Sequence, residues 1–223
     1  MFCPTPEVSS RSFLSALSRR HVLVGFASGV GASAASAIPL EPLTRRGTPQ
    51  LTTGPFYPLD RPFDQDWDLT RVPSHRGIAQ GVIMELHGRV TTEEGRPVPG
   101  AILDVWQTNG LGRYHHPSDT VGKRIDPNFQ GSAVIRADTD GNYRLRTVIP
   151  LPYERRQPHI HFDVRGEKRL LVTQMFFPGE PNGRDTLYAA LRNEMLQRAV
   201  TADLLGVQAG VKKFRWNIVL AGE

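Results

Sequence analysis

Residues 153–162 read Tyr-Glu-Arg-Arg-Gln-Pro-His-Ile-His-Phe, and the end of this stretch alternates as a β-strand does. Side chains two apart on a strand project from the same face, so His159 and His161 share one face while Ile160 and Phe162 occupy the other. The pattern predicts a strand with an apolar inner face and two imidazoles on its outer face. Within this window alone, an incidental exposed pair of histidines explains the pattern as well as a metal site does.

Asp163 follows on the same face and suggests a site of two histidines and one carboxylate, as in iron(II) oxygenases. At roughly 3.3 Å per residue, positions i and i+4 of a strand lie about 13 Å apart, too far for His159 and Asp163 to bind one ion. His159 and His161, about 7 Å apart at Cα, can reach the same ion. We therefore expect the remaining ligands to come from elsewhere in the chain.

Short apolar runs separated by turn signals occupy most of the remaining sequence. The Asp-Gly pair within residues 138–142 is typical of a tight hairpin between two strands. Seven such strands in series predict an all-β fold, an antiparallel β-sandwich core with long loops. The predicted strands cover residues 84–90, 101–107, 132–137, 143–148, 159–164, 171–177 and 214–220.

One peripheral helix is predicted after the sixth strand. Asp185 is a suitable N-cap, and Leu187, Leu191 and Met195 recur at the spacing of a single helical face. We expect this helix to pack against the sandwich.

The first 37 residues have the composition of an export signal. Arg19 and Arg20 directly precede a weakly apolar run over residues 22–30, and residues 35–37 read Ala-Ser-Ala, an A-x-A cleavage pattern. The paired arginines indicate a twin-arginine signal. We expect export to the periplasm or the cell exterior, with no stable membrane span.

The rest of the chain divides into an arm and one domain. Residues 38–80 are rich in proline and charge without a sustained period, which predicts an N-terminal arm and loops, and residues 81–223 hold the predicted sandwich. Removing residues 1–37 lowers the formal net charge from +5 to +3, and no basic stripe is present, so nucleic acid is not an expected partner. Cys3 is the only cysteine, so a metal site beyond the signal must use His, Tyr, Asp or Glu.

Several further motifs occur in order along the chain. They are Gly-Pro-Phe-Tyr-Pro at 54–58, Pro-Val-Pro-Gly-Ala at 97–101, Asp-Val-Trp-Gln at 104–107, Gly-Arg-Tyr-His-His-Pro-Ser-Asp at 112–119, Asp-Pro-Asn-Phe at 126–129, Pro-Tyr at 152–153, Pro-His-Ile-His-Phe at 158–162 and Thr-Gln-Met-Phe-Phe at 173–177. In these motifs and in their order the chain resembles the intradiol ring-cleavage dioxygenases, and most closely the iron-binding chain of the protocatechuate 3,4-dioxygenases. The resemblance spans nearly all of the sequence beyond the predicted signal.

The resemblance implies a non-haem iron(III) ion, Fe(3+), held by Tyr114, Tyr153, His159 and His161 with a hydroxide as fifth ligand. Phenolates are hard anionic donors that suit a trivalent ion. The implied reaction inserts both atoms of O2 into a catechol-type aromatic diol and yields a cis,cis-muconate-type dicarboxylate. The implied partners are therefore this small diol and O2.

The resemblance also implies roles around the metal. Tyr153 matches the tyrosine that leaves the iron when substrate binds, Arg156 matches the arginine that stabilises negative charge on the substrate ring, and Gln174 matches a glutamine that borders the pocket. Simpler interpretations remain open at this stage, because Arg156 could pair with Glu154 in solvent and Gln174 could satisfy backbone groups.

Two features depart from the relatives that the resemblance suggests. The segment between Tyr153 and His159 is shorter than in the iron chain of protocatechuate enzymes, and the long helical region of catechol 1,2-dioxygenases is missing, which disfavours an enzyme of that type. Protocatechuate enzymes complete the pocket with a second chain, and here residues 52–58 are expected to do so. His115 and His116 follow Tyr114 in a loop and are expected at the surface, with at most one of them facing the pocket.

Two other functions remain open from the sequence. The first is a non-catalytic β-sandwich binding module that keeps the fold without turnover. The second is a zinc or copper protein that uses the His-x-His pair. The sequence is also compatible with a homo-oligomer.

Overall fold

A computed structural model describes residues 47–61, 66–120 and 122–223, and the predicted export signal lies outside them. Within the described residues the predicted all-β sandwich is confirmed, with nine strands in two sheets and two short α-helices. The elements are β1 Ile83–Thr92, β2 Ile102–Trp106, β3 Ser132–Arg136, β4 Asn142–Val148, β5 His159–Arg165, β6 Leu170–Phe176, α1 Thr186–Ala190, α2 Glu194–Ala199, β7 Asp203–Gln208, β8 Val211–Arg215 and β9 Ile218–Leu220.

The two sheets differ in strand direction. One sheet has the order β3-β2-β5-β6 and is antiparallel throughout. The other has the order β4-β1-β8-β7, with β9 also paired to β1. In this second sheet β1 runs antiparallel to β4 but parallel to β8 and β9, so it is mixed, whereas the sequence predicted only antiparallel pairing.

The alternation of β5 places the two histidines outside the core. Ile160, Phe162 and Val164 are fully buried between the sheets, where they join the main hydrophobic cluster. His159 and His161 therefore lie on the opposite, outer face of their sheet. They are nevertheless only 2% and 1% exposed, so other parts of the chain cover this face.

The cover includes the arm that precedes the sandwich. Residues 47–61 contain no helix or strand and are held to the sheets by backbone contacts. Thr48 donates its backbone N–H to Val219 O at 2.9 Å, and Leu51 donates to Val172 O at 2.8 Å. These hydrogen bonds fix the path of the arm beside β9 and β6.

The turn at residues 138–142 forms as predicted, but the predicted hairpin is wrong. The Asp138 carboxylate accepts from the backbone N–H groups of Asp140 and Asn142 at 2.9 and 2.8 Å, which stabilises the turn. The strands on either side belong to different sheets, since β3 pairs with β2 and β4 pairs with β1. A local turn signal specifies the reversal of the chain and not the strand partners.

The strand predicted over residues 214–220 is interrupted at Trp216, which separates β8 from β9. The Trp216 carbonyl oxygen lies close to the backbone of Gly88 in β1. A Cβ atom at position 88 would be only 1.9 Å from this oxygen, so the close approach requires glycine there. The Tyr143 hydroxyl donates to the same oxygen at 2.7 Å. Strand β7 was not predicted, because its residues are mostly exposed and lack a buried alternating face.

The predicted single helix is wrong in its length. Asp185 caps α1 as expected, accepting from the backbone N–H groups of Leu187 and Tyr188. The helix ends at Ala190, with Leu191 as its C-cap, and the Asn193 side chain caps a second helix, α2. An asparagine that bonds to the backbone in this way favours a helix start over a helix interior. No helix among the described residues has the length and apolar character required to cross a membrane.

Candidate metal centre

Strand β5 presents two imidazoles toward a single point. The Nε2 atoms of His159 and His161 lie 3.1 Å apart. The strand lies between β2 and β6, which place Trp106 and Gln174 on either side of His161 and Phe176 beside His159. The two histidines are therefore held on a central strand of the sheet and not on a loop.

Tyr114 brings a phenol oxygen to the same point from the loop after β2. Its hydroxyl lies 2.9 Å from Nε2 of His161 and 3.5 Å from Nε2 of His159. The loop is held there because the Asp119 carboxylate accepts the Tyr114 backbone N–H at 2.8 Å. Three side-chain atoms that can bind a metal thus lie within 3.5 Å of one another.

Tyr153 lies at the edge of this group. Its ring centroid is 5.1 Å from that of Tyr114, nearly perpendicular to it, and 5.7 Å from that of His159. Tyr153 begins a tight turn in which its carbonyl accepts the N–H of Arg156 at 2.8 Å. Glu154 in this turn has a φ of +49°, a left-handed conformation that is uncommon for a residue other than glycine.

The two imidazoles are oriented by different contacts. Nδ1 of His159 lies 2.6 Å from the carbonyl oxygen of Gln157. Because a carbonyl oxygen can only accept a hydrogen bond, Nδ1 carries the proton and Nε2 keeps its lone pair. This is the usual tautomer of a metal-bound histidine. Nδ1 of His161 is buried and has no hydrogen-bond partner among the described residues. Its ring instead stacks on Trp106, with centroids 4.8 Å apart and planes 9° from parallel.

Burial and a nearby cation set the protonation of the four side chains. Burial, followed by the charge of Arg156, lowers the pKa of His159 to about 3. Burial also lowers the pKa of His161 well below its usual value, so both imidazoles are neutral near pH 7. Burial raises the pKa of Tyr114 well above 10, and it raises the pKa of Tyr153 as well, while Arg156 acts to lower both. The buried phenols therefore need a further positive charge to ionise.

These donors fit a transition-metal ion. Two nitrogen or oxygen ligands at about 2.0–2.2 Å from one ion, at right angles, lie about 3 Å apart. The distances of 2.9, 3.1 and 3.5 Å among Tyr114, His159 and His161 match that separation. Bringing in a cation also supplies the charge that ionises Tyr114. Within the described ranges no three His, Cys, Asp or Glu side chains cluster as metal ligands, so the site depends on phenol oxygen.

Arg156 is positioned by two partners. Its Nε donates to the Asp185 carboxylate at 2.7 Å, and its Nη2 donates to the Gln174 side-chain oxygen. Asp185 is fully buried and also accepts the backbone N–H of Gln157 at 3.0 Å. The alternative that Arg156 pairs with Glu154 is therefore wrong, because the carboxylate that caps α1 takes this place.

Gln174 connects this arginine to the arm. Its side-chain nitrogen donates to the Thr52 carbonyl at 2.8 Å while its oxygen accepts from Arg156. Gln174 therefore satisfies a backbone group, as one interpretation expected, and it also holds Arg156. Asp163, excluded from the metal by strand geometry, forms an ion pair with Arg165 at 3.3 Å.

The arm segment 52–58, which was expected to help complete the pocket, contributes two aromatic rings beside the candidate ligands. Phe56 packs against Tyr114 and Tyr153, with centroids 4.9 and 5.9 Å apart. Tyr57 meets Trp106 edge-on at 5.0 Å. In the sequence, these rings belong to the motifs Gly-Pro-Phe-Tyr-Pro at 54–58 and Asp-Val-Trp-Gln at 104–107. The fold then shows that Phe56 contacts Tyr114 and that Trp106 stacks on His161.

The two histidines after Tyr114 behave differently. His115 is exposed, as expected. The expectation that His116 lies at the surface is wrong, since it is 6% exposed, its Nδ1 accepts the backbone N–H of Ser118 at 3.1 Å and its ring lies 5.6 Å from Phe56. The reason is that Phe56 covers it from the arm, a contact across 60 residues that local sequence does not reveal.

The chain is similar to several known dioxygenases. A family model described as "Dioxygenase" matches residues 52–222. The protocatechuate 3,4-dioxygenase beta chain of Burkholderia cepacia is 37% identical over 152 residues, which cover 64% of this chain and 64% of that protein. Catechol 1,2-dioxygenase 1 of Acinetobacter lwoffii is 29% identical over 193 residues, covering 74% and 57%. The chain thus spans less than two thirds of the length of these curated relatives.

A solved structure is also similar. The dioxygenase domain of a dioxygenase–carbohydrate-binding protein fusion from Streptomyces sp. SirexAA-E superposes with a TM-score of 0.62 at 26% identity, covering 78% of this chain and 98% of that one. The family match covers most of the sequence beyond the predicted signal. The chain belongs to the intradiol ring-cleavage dioxygenase family.

Proposed function

We propose that this protein is a non-haem iron(III) dioxygenase that cleaves a catechol-type aromatic diol between its two hydroxyl-bearing carbons, inserting both atoms of O2 to give a cis,cis-muconate-type dicarboxylate. One observation carries the proposal. The hydroxyl of Tyr114 and the Nε2 atoms of His159 and His161 lie within 3.5 Å of one another in a buried site. Tyr153 would complete the ligand set.

The donor types favour a ferric ion over zinc or copper. When bound, iron(III) would supply a Lewis acid that draws electron density from a chelated diolate and prepares its ring for reaction with O2. Tyr114 and Tyr153 would hold this ion as phenolates, hard anionic ligands that neutralise a trivalent charge better than neutral imidazoles do. Burial of the site makes that neutralisation necessary, because an uncompensated charge there is costly.

Tyr153 is the phenol suited to accept a proton from the substrate. Its pKa is raised by burial, but the hydrogen bond from Tyr114 and the charge of Arg156 both act to lower it. It also lies in a short turn closed by a backbone hydrogen bond from Arg156 to its own carbonyl, whereas the backbone N–H of Tyr114 is held by the Asp119 carboxylate. The Tyr153 oxygen would take up a proton from a diol hydroxyl as the diol binds, while Tyr114 keeps its place.

Arg156 would stabilise negative charge on the substrate ring. Its positive charge lowers the pKa values of all four candidate ligands, so its field reaches the whole site. Asp185 and Gln174 fix its guanidinium in place before substrate arrives. A cation held in this way costs no reorganisation when charge develops during the reaction.

The proposal predicts a coloured protein that consumes oxygen. We expect the purified, iron-loaded protein to be red-brown, because ferric phenolates absorb visible light by charge transfer. Oxygen uptake would then be measured with catechol, protocatechuate, hydroxyquinol and substituted catechols, and the product of any active diol identified as the ring-opened dicarboxylate. An iron-loaded protein without visible absorption would contradict the proposal.

The same measurements separate this proposal from a zinc protein and from the non-catalytic binding module. A zinc protein would be colourless, since a filled d shell gives no such transition. A coloured protein that consumes no oxygen with any diol would instead support the non-catalytic binding module. The diol that gives the highest kcat/KM would identify the substrate class.

We also propose that residues 1–37 are a twin-arginine export signal and that the protein acts outside the cytoplasm. The Arg19–Arg20 pair and the Ala-Ser-Ala sequence at 35–37 support this. We expect the mature protein to begin at Ile38, which N-terminal sequencing of exported protein would check. Replacing both arginines by lysine should block export, and unchanged export of that variant would exclude the twin-arginine route.

A further inference from the structure

Asp185 is a fully buried carboxylate whose two oxygens face different parts of the fold. Oδ1 accepts the backbone N–H groups of Leu187 and Tyr188 at 3.0 and 3.3 Å, and so caps α1. Oδ2 accepts Nε of Arg156 at 2.7 Å and the backbone N–H of Gln157 at 3.0 Å. One side chain therefore joins the start of a helix to the segment that precedes β5.

These four hydrogen bonds use the full acceptor capacity of the Asp185 carboxylate. An ionised carboxylate offers about four lone-pair sites, two on each oxygen, and each oxygen of Asp185 accepts two hydrogen bonds. A buried charge is costly unless it is paired and hydrogen-bonded, and Arg156 supplies the opposite charge. Replacing one of the two oxygens by a group that cannot accept therefore removes a defined pair of contacts.

The backbone of Gln157 connects this carboxylate to His159. The N–H of Gln157 donates to Asp185, and the carbonyl oxygen of Gln157 lies 2.6 Å from Nδ1 of His159, the ring nitrogen that carries the proton. Pro158 follows Gln157, and a residue before proline is restricted to extended conformations. With so little conformational freedom at Gln157, a contact that fixes its N–H also fixes the direction of its carbonyl group.

This connection reaches only one of the two imidazoles. Within the part of the chain that the structure describes, the Gln157 carbonyl is the sole hydrogen-bond partner of Nδ1 of His159, whereas Nδ1 of His161 has none and its ring stacks on Trp106. A partner on the second ring nitrogen fixes the tautomer and the orientation of a metal-binding histidine. The orientation of His159 therefore depends on the Gln157 carbonyl, which Asp185 holds in place.

We propose that Asp185 is a positioning residue that orients two parts of the candidate metal centre at once, the Arg156 guanidinium directly and the His159 imidazole through the backbone of Gln157. The inference rests on the proposed function, because it takes iron(III) as the ion and Arg156 as the cation that acts on the substrate. It distinguishes two losses. Without Arg156, turnover falls while iron stays bound; without the Asp185 carboxylate, turnover and iron affinity fall together.

Asp185→Asn tests this role and keeps the helix cap. Asparagine is about as good an N-cap as aspartate, so its oxygen can still cap α1. Its amide nitrogen then takes the place of Oδ2 and cannot accept from Arg156 or Gln157. We expect iron affinity, measured by competition with a chelator, to fall about tenfold and kcat to fall about 10- to 100-fold. Asp185→Ser, a good cap with a single side-chain oxygen, is the second variant and should give the same losses.

Nuclear magnetic resonance of the metal-free protein gives a readout that needs neither iron nor turnover. The Nδ1 proton of His159 is buried and hydrogen-bonded, so in protein labelled with 15N-histidine it should be visible and slow to exchange with water. In Asp185→Asn we expect this resonance to be lost to faster exchange. A resonance as well protected in Asp185→Asn as in the parent would overturn the proposal.

Asp126→Asn is the matched control. Asp126 is also a buried carboxylate, 1% exposed, and it accepts the backbone N–H groups of Gln80 and Asn128 at 2.6 and 3.0 Å. Its replacement makes the same change of charge without touching Arg156 or Gln157. We expect this variant to keep the iron affinity of the parent and the protected His159 proton. An equal loss of iron affinity in both variants would reflect general destabilisation and would refute the positioning role.

Arg156→Gln separates the two parts of the proposal. We expect Asp185→Asn to bind iron about tenfold more weakly than Arg156→Gln, because only the first change releases the Gln157 backbone. Equal iron affinity in these two variants would mean that Asp185 holds Arg156 alone, and the link to His159 would be wrong. If the parent protein turned over no diol, the proposed function would fail, while iron affinity and the His159 proton would still test the positioning role.

Discussion

Replacing Tyr114 by phenylalanine is expected to shift and weaken the visible charge-transfer absorption of the iron-loaded protein and to lower turnover at least about 100-fold. The change deletes one atom, the hydroxyl oxygen that lies 2.9 Å from His161 Nε2 and 3.5 Å from His159 Nε2. Loss even of groups that support a metal ligand typically costs about 10–100-fold in metal affinity or activity, so loss of a ligand should cost at least as much. Iron content, the visible spectrum and oxygen uptake would be measured together.

Tyr143→Phe is the matched control for this substitution. Tyr143 is a buried tyrosine whose hydroxyl donates to the Trp216 carbonyl between the sheets, outside the candidate metal centre. Its replacement removes a hydrogen bond worth about 1 kcal/mol to folding but leaves the metal donors in place. We expect the control to keep its colour and turnover. An unchanged spectrum in Tyr114→Phe would show that Tyr114 is not a ligand and would leave Tyr153 as the only phenolate.

The part of the site that local sequence could predict is the part carried by one strand. Alternation in β5 was enough to place His159 and His161 on one face and to exclude Asp163, because strand geometry is regular over a few residues. Tyr114 could not be found in that way. It lies in a loop 45 and 47 residues from the histidines, and it reaches them only because β2 pairs with β5. Its assignment came from the family resemblance.

The contacts that orient the ligands were the least predictable. Asp185 was recognised as a helix cap, yet the same carboxylate also holds Arg156 across 29 residues. Trp106 stacks on His161 because the register of β2 against β5 places them side by side. The predicted hairpin at residues 138–142 was wrong for a related reason. The turn forms, but the strands on either side of it pair with strands of different sheets. Pairing between distant segments is decided by how the whole core packs, and no short window contains that information.

Replacing Arg156 by glutamine is expected to lower kcat by about 10²–10³-fold while iron content and the visible spectrum are largely retained. Removing one preorganised group that stabilises developing charge typically costs this much. Arg156 does not itself belong to the candidate metal ligands, and its guanidinium is held by Asp185 and Gln174 at the edge of the site. The defect should therefore appear in turnover with metal still bound, which distinguishes it from the loss expected in Tyr114→Phe.

Arg155→Gln provides the matched control, because it makes the same change of charge at the neighbouring, exposed arginine. Its kcat should stay close to that of the parent. Arg156→Lys adds a second comparison, since lysine keeps the charge but lacks the planar fork that bonds to Asp185 and Gln174 at once. If charge alone matters, lysine restores most of the activity; if a fixed direction also matters, as the two hydrogen bonds indicate, its kcat falls between those of the parent and Arg156→Gln. A kcat for Arg156→Gln within about twofold of the Arg155→Gln value would contradict the proposed role in stabilising the reacting ring. Arg156 would then be a structural residue that connects Asp185, through Gln174, to the arm.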